Sequence, residues 1–321
     1  MIWYLARRLV ATVVLLAVVA IVTYVLITLA PGDTALIIAG SAGGDAEYLA
    51  RLRERLGLDR ALPYQVWSYL VAVFQGDLGF SVIQGRPVWE VIFGRLPATL
   101  LLGGTSLVLA SIGGVVLGVV AAARHGSRVD AAVSVGSLAL YSLPVFWVAQ
   151  LLIAFLAVRL GWLPAGGMTS VPSPDAPLAK LADLARHLVL PVAALSTLFL
   201  GLIMRTTRTA MIEVLGESYL RTAQALGVSE RRRLFRHALP NALRPVLTVV
   251  TNEVATLLAG LILVETVFSW PGLGRLLLDS ILTRDNPLLV GLLLFSALAA
   301  SVTNLVADIG YSALDPRVRY R

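Results

Sequence analysis

Six long apolar stretches constrain this chain more than any other feature: Leu9–Ala30, Ala98–Ala122, Ala132–Val158, Leu188–Met204, Pro245–Val267 and Leu288–Tyr311. A bilayer core about 30 Å thick is crossed by about 20 apolar residues in a helix. Inside lipid every backbone N–H and C=O must find its partner within the protein, so runs of this kind form helices. The fourth stretch is short, but it can extend through Thr206 and Thr207. Composition agrees: 58% of residues are hydrophobic and 14% charged, and the mean hydropathy is +0.83. A soluble domain carries about 25% charged residues, so lipid is part of the solvent. A soluble enzyme, a disordered chain and a disulfide-stapled secreted domain are excluded. The expected fold class is all-α, a polytopic membrane protein with six transmembrane helices.

Charge placement sets the expected orientation. With a cytoplasmic N-terminus, the inner segments 1–8, 123–131, 205–244 and 312–321 hold 15 Arg in 67 residues. The outer segments 31–97, 159–187 and 268–287 hold 11 Arg or Lys in 116 residues. Basic residues are over twice as dense inside, which predicts that both termini are cytoplasmic. The net charge of +7 therefore reports topology and not nucleic-acid binding. Arg7 and Arg8 before an apolar run resemble a signal peptide, but 22 apolar residues exceed a typical signal core. No clear small-x-small cleavage site follows, so a retained helix is expected.

Residues 31–97 form an outer cap, with helices expected over Asp45–Gly57 and Leu62–Phe74. The domain reading is 1–97 for the first span and cap, and 98–321 for a core of five spans. Pro164, Pro172, Pro174 and Pro177 predict an irregular loop over 159–187. Ser106, Ala110, Gly114, Gly118 and Ala122 recur every four residues, which places small side chains on one face and lets a second helix approach. Pro144 and Pro191 each remove a backbone bond and predict a kink or a bending point.

Chemistry-bearing groups are sparse. There are no cysteines, and His125, His187 and His237 form no cluster, so no metal site is expected. Glu253, Glu265 and Asp308 are acids within apolar spans, each costing about 2.5–3.5 kcal/mol at the membrane centre. Glu253 is the deepest, beside Asn252, with Thr248 and Thr256 one turn to either side of Asn252. That stripe is either the wall of a polar solute path or a Glu paired with a neighbouring subunit's Arg. No Gly-x-x-x-x-Gly-Lys-Ser/Thr phosphate loop is present, so the chain has no recognisable means of holding ATP.

The inner segment 205–244 is the most informative. Glu217, Tyr219, Leu220, Arg221, Thr222, Ala223, Gln224, Ala225 and Leu226 read as a short helix, closed by Gly227 as a left-handed stop. Ser229 suits an N-cap, and a basic helix then leads through Leu239 to Pro240. On its own such a helix can lie on anionic headgroups. Its spacing resembles the "EAA" loop of ATP-binding-cassette importer permeases: a Glu-Ala-Ala-like triplet, a Gly three residues on, and an Ile-x-Leu-Pro ending. Thr222-Ala223-Gln224 fills the triplet loosely, Gly227 is in place, and His237-Ala238-Leu239-Pro240 fills the ending with His for Ile.

Further stretches are similar to the dipeptide/oligopeptide permeases within that superfamily. They are Pro31-Gly32-Asp33, Leu56-Gly57-Leu58-Asp59, Gly76-Asp77-Leu78-Gly79 with Ser81, and Arg95-Leu96-Pro97-Ala98-Thr99-Leu100. Val264-Glu265-Thr266-Val267-Phe268, Pro271-Gly272-Leu273-Gly274 and Asp315-Pro316-Arg317 complete the series. The resemblance, to the permease partner with the longer first outer loop, implies a type I importer permease fold in a plasma (inner) membrane and a coupling loop over about 209–244. It implies a heterodimer with a second permease, two cytoplasmic ATPase subunits that bind ATP and Mg, and an external solute-binding protein. Peptide is the implied substrate, with nickel or glutathione as alternatives in the same branch. An ATPase-independent channel or an intramembrane enzyme is the competing class. The former leaves the glycine-ended loop unexplained, and the latter lacks paired catalytic groups at one depth.

Overall fold

A computed structural model describes residues 2–29, 45, 47, 48, 50, 51, 54 and 59–314. Pro31-Gly32-Asp33, Asp315-Pro316-Arg317 and most of Asp45–Gly57 lie outside the described residues. In chain order the elements are α1 (Ile2–Leu29), α2 (Leu62–Phe74), β1 (Phe80–Ser81), β2 (Arg86–Pro87), α3 (Val88–Ala123), α4 (Arg128–Ser142) and α5 (Val145–Leu152). A π-helical turn over Ile153–Arg159 follows, then α6 (Pro177–Leu215), α7 (Ser218–Ala225) and α8 (Glu230–Arg232). A second π-helical segment, Arg233–Ala238, leads into α9 (Leu239–Val267), α10 (Leu273–Leu282) and α11 (Asn286–Leu314). Among the described residues three helices, α3, α6 and α11, are long and apolar enough to cross a membrane, or four if the bent pair α4–α5 counts as one span. The β structure is a two-residue antiparallel ladder, which the all-helical expectation did not include.

The described residues group into two compact units. One comprises residues up to Pro97 together with Leu276–Leu305. Here the Gly76-Asp77-Leu78-Gly79 stretch turns the chain: Gly76 and Gly79 take φ of 84° and 88°, and the Asp77 carboxylate accepts from Gly79 N at 2.8 Å. The buried Ser81 hydroxyl donates to Asp285, whose carboxylate also accepts from Leu288 N at the start of α11.

The other unit covers Ala98–Arg275. The small-residue stripe of α3 packs against α6. A Cβ on Gly118 would stand 2.6 Å from Thr207 Cβ, and one on Gly114 would stand 2.8 Å from Ile203 Cγ2. Ser196 donates across the same contact to Ser106 O at 3.1 Å. Leu102, Leu195, Phe199, Leu261, Phe268 and Trp270 belong to the buried core between α3, α6 and α9.

One sequence expectation is corrected here. The stretch 159–187 is not loop throughout, because Pro177 opens α6 as its first residue. A proline there lacks only an N–H that would have had no helical partner. The break expected at Pro144 is present: in the third apolar stretch α4 and the α5 segment meet at 101°. Leu143, forced away from the α region by Pro144, is extended at φ −82° and ψ 134°. Pro191 lies inside α6 without ending it.

Candidate functional site

The segment after α6 folds into a helix, a glycine turn and a basic arm. Glu217 precedes α7 in extended conformation, and Ser218–Ala225 form its two turns. Gly227 takes φ 77°, Val228 N donates to Ala223 O at 3.1 Å, and Gly227 N donates to Gln224 O at 3.0 Å. These two bonds close the helix in a Schellman turn, which needs a left-handed residue at the glycine position. Ser229 stands at the N-cap of α8, but its side chain makes no capping bond. The chain then widens into the π-helical segment Arg233–Ala238 directly before α9. Pro240 sits in the first turn of α9, so the basic arm runs on into α9. The fifth apolar stretch accordingly lies within a helix that starts at Leu239, and Pro245 lies inside it.

Leu220 anchors this loop. It is buried in a satellite core with Met211, Leu234, Ala238 and Ala242, against which Leu239 packs. Arg233 donates to the Gln224 side chain, and Asn241 Nδ2 donates to Tyr219 Oη at 3.0 Å and to His237 O at 3.2 Å. The opposite face of α7 is uncovered: Tyr219 is 45% exposed and Leu226 79%. Glu217, Arg221, Thr222, Gln224 and Ala225 are exposed too, while Ala223 is half-buried. Arg221, Arg231 and Arg232 are exposed as well, so the loop presents apolar and basic side chains together.

A charged clamp holds the helix that carries this loop. Arg208 of α6 binds Asp130 of α4 through two bonds, Nε to Oδ1 at 2.6 Å and Nη2 to Oδ2 at 2.8 Å. Gly126 N donates to the same carboxylate at 3.0 Å, and His125 Nδ1 lies 3.2 Å from it. Such bidentate, charge-assisted pairs fix orientation as well as distance. Sequence reading missed this pair, because residues 78 positions apart leave no local signal.

The polar stripe of α9 is partly placed. Thr248 and Asn252 are exposed, in line with Arg244, and Glu253 is half-buried. Thr248 Oγ1 donates to Arg244 O at 3.3 Å. Thr256 lies one turn beyond Asn252, and its side chain is outside the described residues.

Glu265 has a different environment. It is fully buried, and its carboxylate accepts from Thr99 Oγ1 at 2.8 Å, Gly274 N at 2.7 Å and Arg275 N at 3.1 Å. Leu273 N donates to Thr99 Oγ1 at 2.7 Å, and Trp270 Nε1 donates to Ala98 O at 2.9 Å. A Cβ on Gly272 would overlap the carboxylate. Three stretches noted separately in the sequence, around Thr99, Glu265 and Gly272-Leu273-Gly274, thus form one buried staple between α3, the end of α9 and the start of α10.

Comparison with known proteins bears on nearly the whole chain. A family model described as "Binding-protein-dependent transport system inner membrane component" matches residues 114–320, and one for the N-terminal part of such membrane components matches residues 1–103. The chain is 41% identical over 317 residues to a probable peptide ABC transporter permease protein, y4tP, of Sinorhizobium fredii, covering 99% of each chain. It is 40% identical over 335 residues to the di/tripeptide transport system permease protein DppB of Pseudomonas aeruginosa, covering 100% of each. A solved amino acid ABC transporter with bound histidines shares the fold at a TM-score of 0.50 and 14% identity, over 70% of this chain and 94% of that one. The chain belongs to the family of inner membrane components of binding-protein-dependent transport systems.

Proposed function

We propose that this chain is the permease subunit of an ATP-driven importer of di- and oligopeptides. It forms the translocation path with a second, homologous permease. It has six spans with both termini in the cytoplasm: residues 1–97 give the first span and outer cap, and 98–321 the five-span core. Two cytoplasmic ATPase subunits bind ATP and Mg, and an external solute-binding protein delivers the substrate. The observation that carries this reading is the glycine-closed helix α7, anchored by Leu220 and presenting Tyr219 and Leu226 outward. The names of the full-length relatives support peptide as the substrate class.

The mechanism follows from unequal binding. An ATPase pair shifts a permease between its inward- and outward-open states only if it binds those states unequally. Closure of the ATPases on ATP moves the cleft in which α7 sits, and α7 is short, closed and pinned through Leu220, so the motion passes to α6 and α9. Arg208 on Asp130 carries the motion of α6 on to α4. Nucleotide is consumed on the partners, so the purified chain alone is expected to show no ATP hydrolysis. Turnover by the ATPase-free chain contradicts the subunit reading.

Glu253 is assigned to the path wall. A peptide carries a terminal ammonium whose desolvation in an apolar path costs several kcal/mol. A half-buried carboxylate beside Asn252 offsets part of that cost without capturing the peptide. Glu253→Gln is expected to leave the complex assembled and to lower uptake of free-amine peptides relative to N-acetylated ones. If Glu253 instead pairs with a partner's Arg, the same change strands that Arg and weakens assembly by about 3–5 kcal/mol in a dry site. An intact complex with unchanged uptake of every peptide contradicts both roles.

A further inference from the structure

Helix α2 carries no charged residue over Leu62–Phe74, yet one face of it is uncovered. Tyr64, Trp67, Val71 and Phe74 follow helical spacing and are 50%, 65%, 37% and 66% exposed. The amide and aliphatic hydroxyl of α2 are turned inward or satisfied. Gln65 is buried, donates to Arg60 O at 2.7 Å and accepts from Tyr24 Oη at 3.2 Å. Ser68, on the exposed side, donates back to Gln65 O at 3.0 Å. The polar atoms left on that face are the Tyr64 hydroxyl and the Trp67 indole N–H, tips of amphipathic rings that suit a boundary between water and lipid.

The level of α2 in the fold identifies what covers it. Gln65 and Tyr69 meet Tyr24 of α1, and Tyr69, Leu70 and Val73 share one apolar cluster with Leu16, Val19 and Ala20 of α1 and with Val290 and Leu294 of α11. Val290 and Leu294 fall in the first three turns of α11, a helix long and apolar enough to cross a membrane. The lower half of α2 therefore stands level with residues already inside a span, out of reach of a soluble protein. At its upper end the Arg60 guanidinium lies 4.4 Å from the centre of the Tyr64 ring. A cation above Tyr and Trp, with Val and Phe below, matches the order of phosphate, interface and acyl chain in a bilayer.

We infer that α2 is an interfacial element seated in the outer leaflet, with Tyr64, Trp67, Val71 and Phe74 facing phospholipid. This rests on α11 being a span and residues 31–97 lying outside. The outer cap is then partly a membrane-embedded wedge beside α1, and its tilt follows the lipid as well as the protein.

Trp67 is its own probe. The assembled complex, reconstituted in vesicles of plain phosphatidylcholine or of phosphatidylcholine brominated on the acyl chain, is compared with its Trp67→Phe variant. The difference between the two proteins isolates Trp67 from the other five tryptophans. Its emission is expected to fall by about half in brominated lipid, more strongly with bromines near the headgroup than near the chain end, as for an indole at the membrane–water interface. Aqueous iodide is expected to quench it weakly. Quenching by iodide alone places Trp67 in water, and quenching by neither places it under a protein partner such as the second permease; either overturns the inference. Peptide uptake is read in parallel, so lost lipid contact with normal uptake overturns the seat of α2 and not the importer reading.

Discussion

Replacing Gly227 by Val is expected to abolish ATP-coupled uptake while leaving the chain inserted and assembled. Gly227 holds φ at 77°, and a Cβ there would meet nothing within 4 Å. The effect is therefore purely conformational. A non-glycine residue in the left-handed region costs roughly 1–2 kcal/mol, and a β-branched one more, so the ratio of closed to open α7 turn falls on the order of tenfold or more. Losing that turn removes the Val228–Ala223 and Gly227–Gln224 bonds and lets α7 fray where it docks. Leu220 remains in its satellite core, so membrane insertion is unaffected. Uptake and ATPase activity of the complex are measured over the series Gly, Asn, Ala, Val at position 227. Asn, which tolerates this region, should retain the most activity and Val the least. Normal uptake by the Val variant means that the turn does not set the docking geometry.

Glu265→Ala is expected to cause the largest loss of stability among single substitutions in the permease core. Removing the carboxylate strips the buried Thr99 hydroxyl and Gly274 N–H of their acceptor. Each buried donor left without a partner costs about 1–3 kcal/mol, so the loss is about 2–6 kcal/mol before any cavity is counted. Glu265→Gln keeps the shape and one carbonyl acceptor, and is expected to lose less than half as much. Thermal unfolding of the purified complex, followed by tryptophan emission, reads both, because Trp270 sits in the same staple through its bond to Ala98 O. Equal unfolding temperatures for wild type and the Ala variant show that the staple does not hold α10 to α3.

How far the sequence discloses this structure depends on whether the signal is local. Gly227 is legible because one position demands a left-handed backbone, which its φ of 77° bears out, and its spacing to Pro240 resembles the EAA loop. The stripe from Ser106 to Ala122 is legible because close helix approach needs small residues at a fixed period. Pro144 marks where the third stretch breaks, but not the 101° between its halves, which packing partners set. Pro177 misleads, since a proline-rich segment reads as loop until its last proline is found opening α6. The π-helical segments at Ile153–Arg159 and Arg233–Ala238 leave no mark in composition, because one extra residue per turn changes no periodicity over so short a run. Glu265 is the instructive case. Its neighbours, the Thr99 stretch and the Gly272-Leu273-Gly274 stretch, each stand out in the sequence, yet Thr99 is 166 positions away from Glu265. Only folding shows that these stretches meet. The same limit hides Arg208 on Asp130 and the uncovered face of α2.

The central claim, that this chain couples partner-borne ATP hydrolysis to peptide entry, is tested most directly by reconstituted transport. The permease, its partner permease and the two ATPase subunits are placed in vesicles with ATP and Mg on the ATPase side and the binding protein with radiolabelled dipeptide on the other. The account predicts dipeptide accumulation that requires ATP and the binding protein, is competed by other peptides more strongly than by nickel or glutathione, and is lost with Gly227→Val. Dipeptide equilibration without ATP, or accumulation by this chain with no ATPase present, contradicts it.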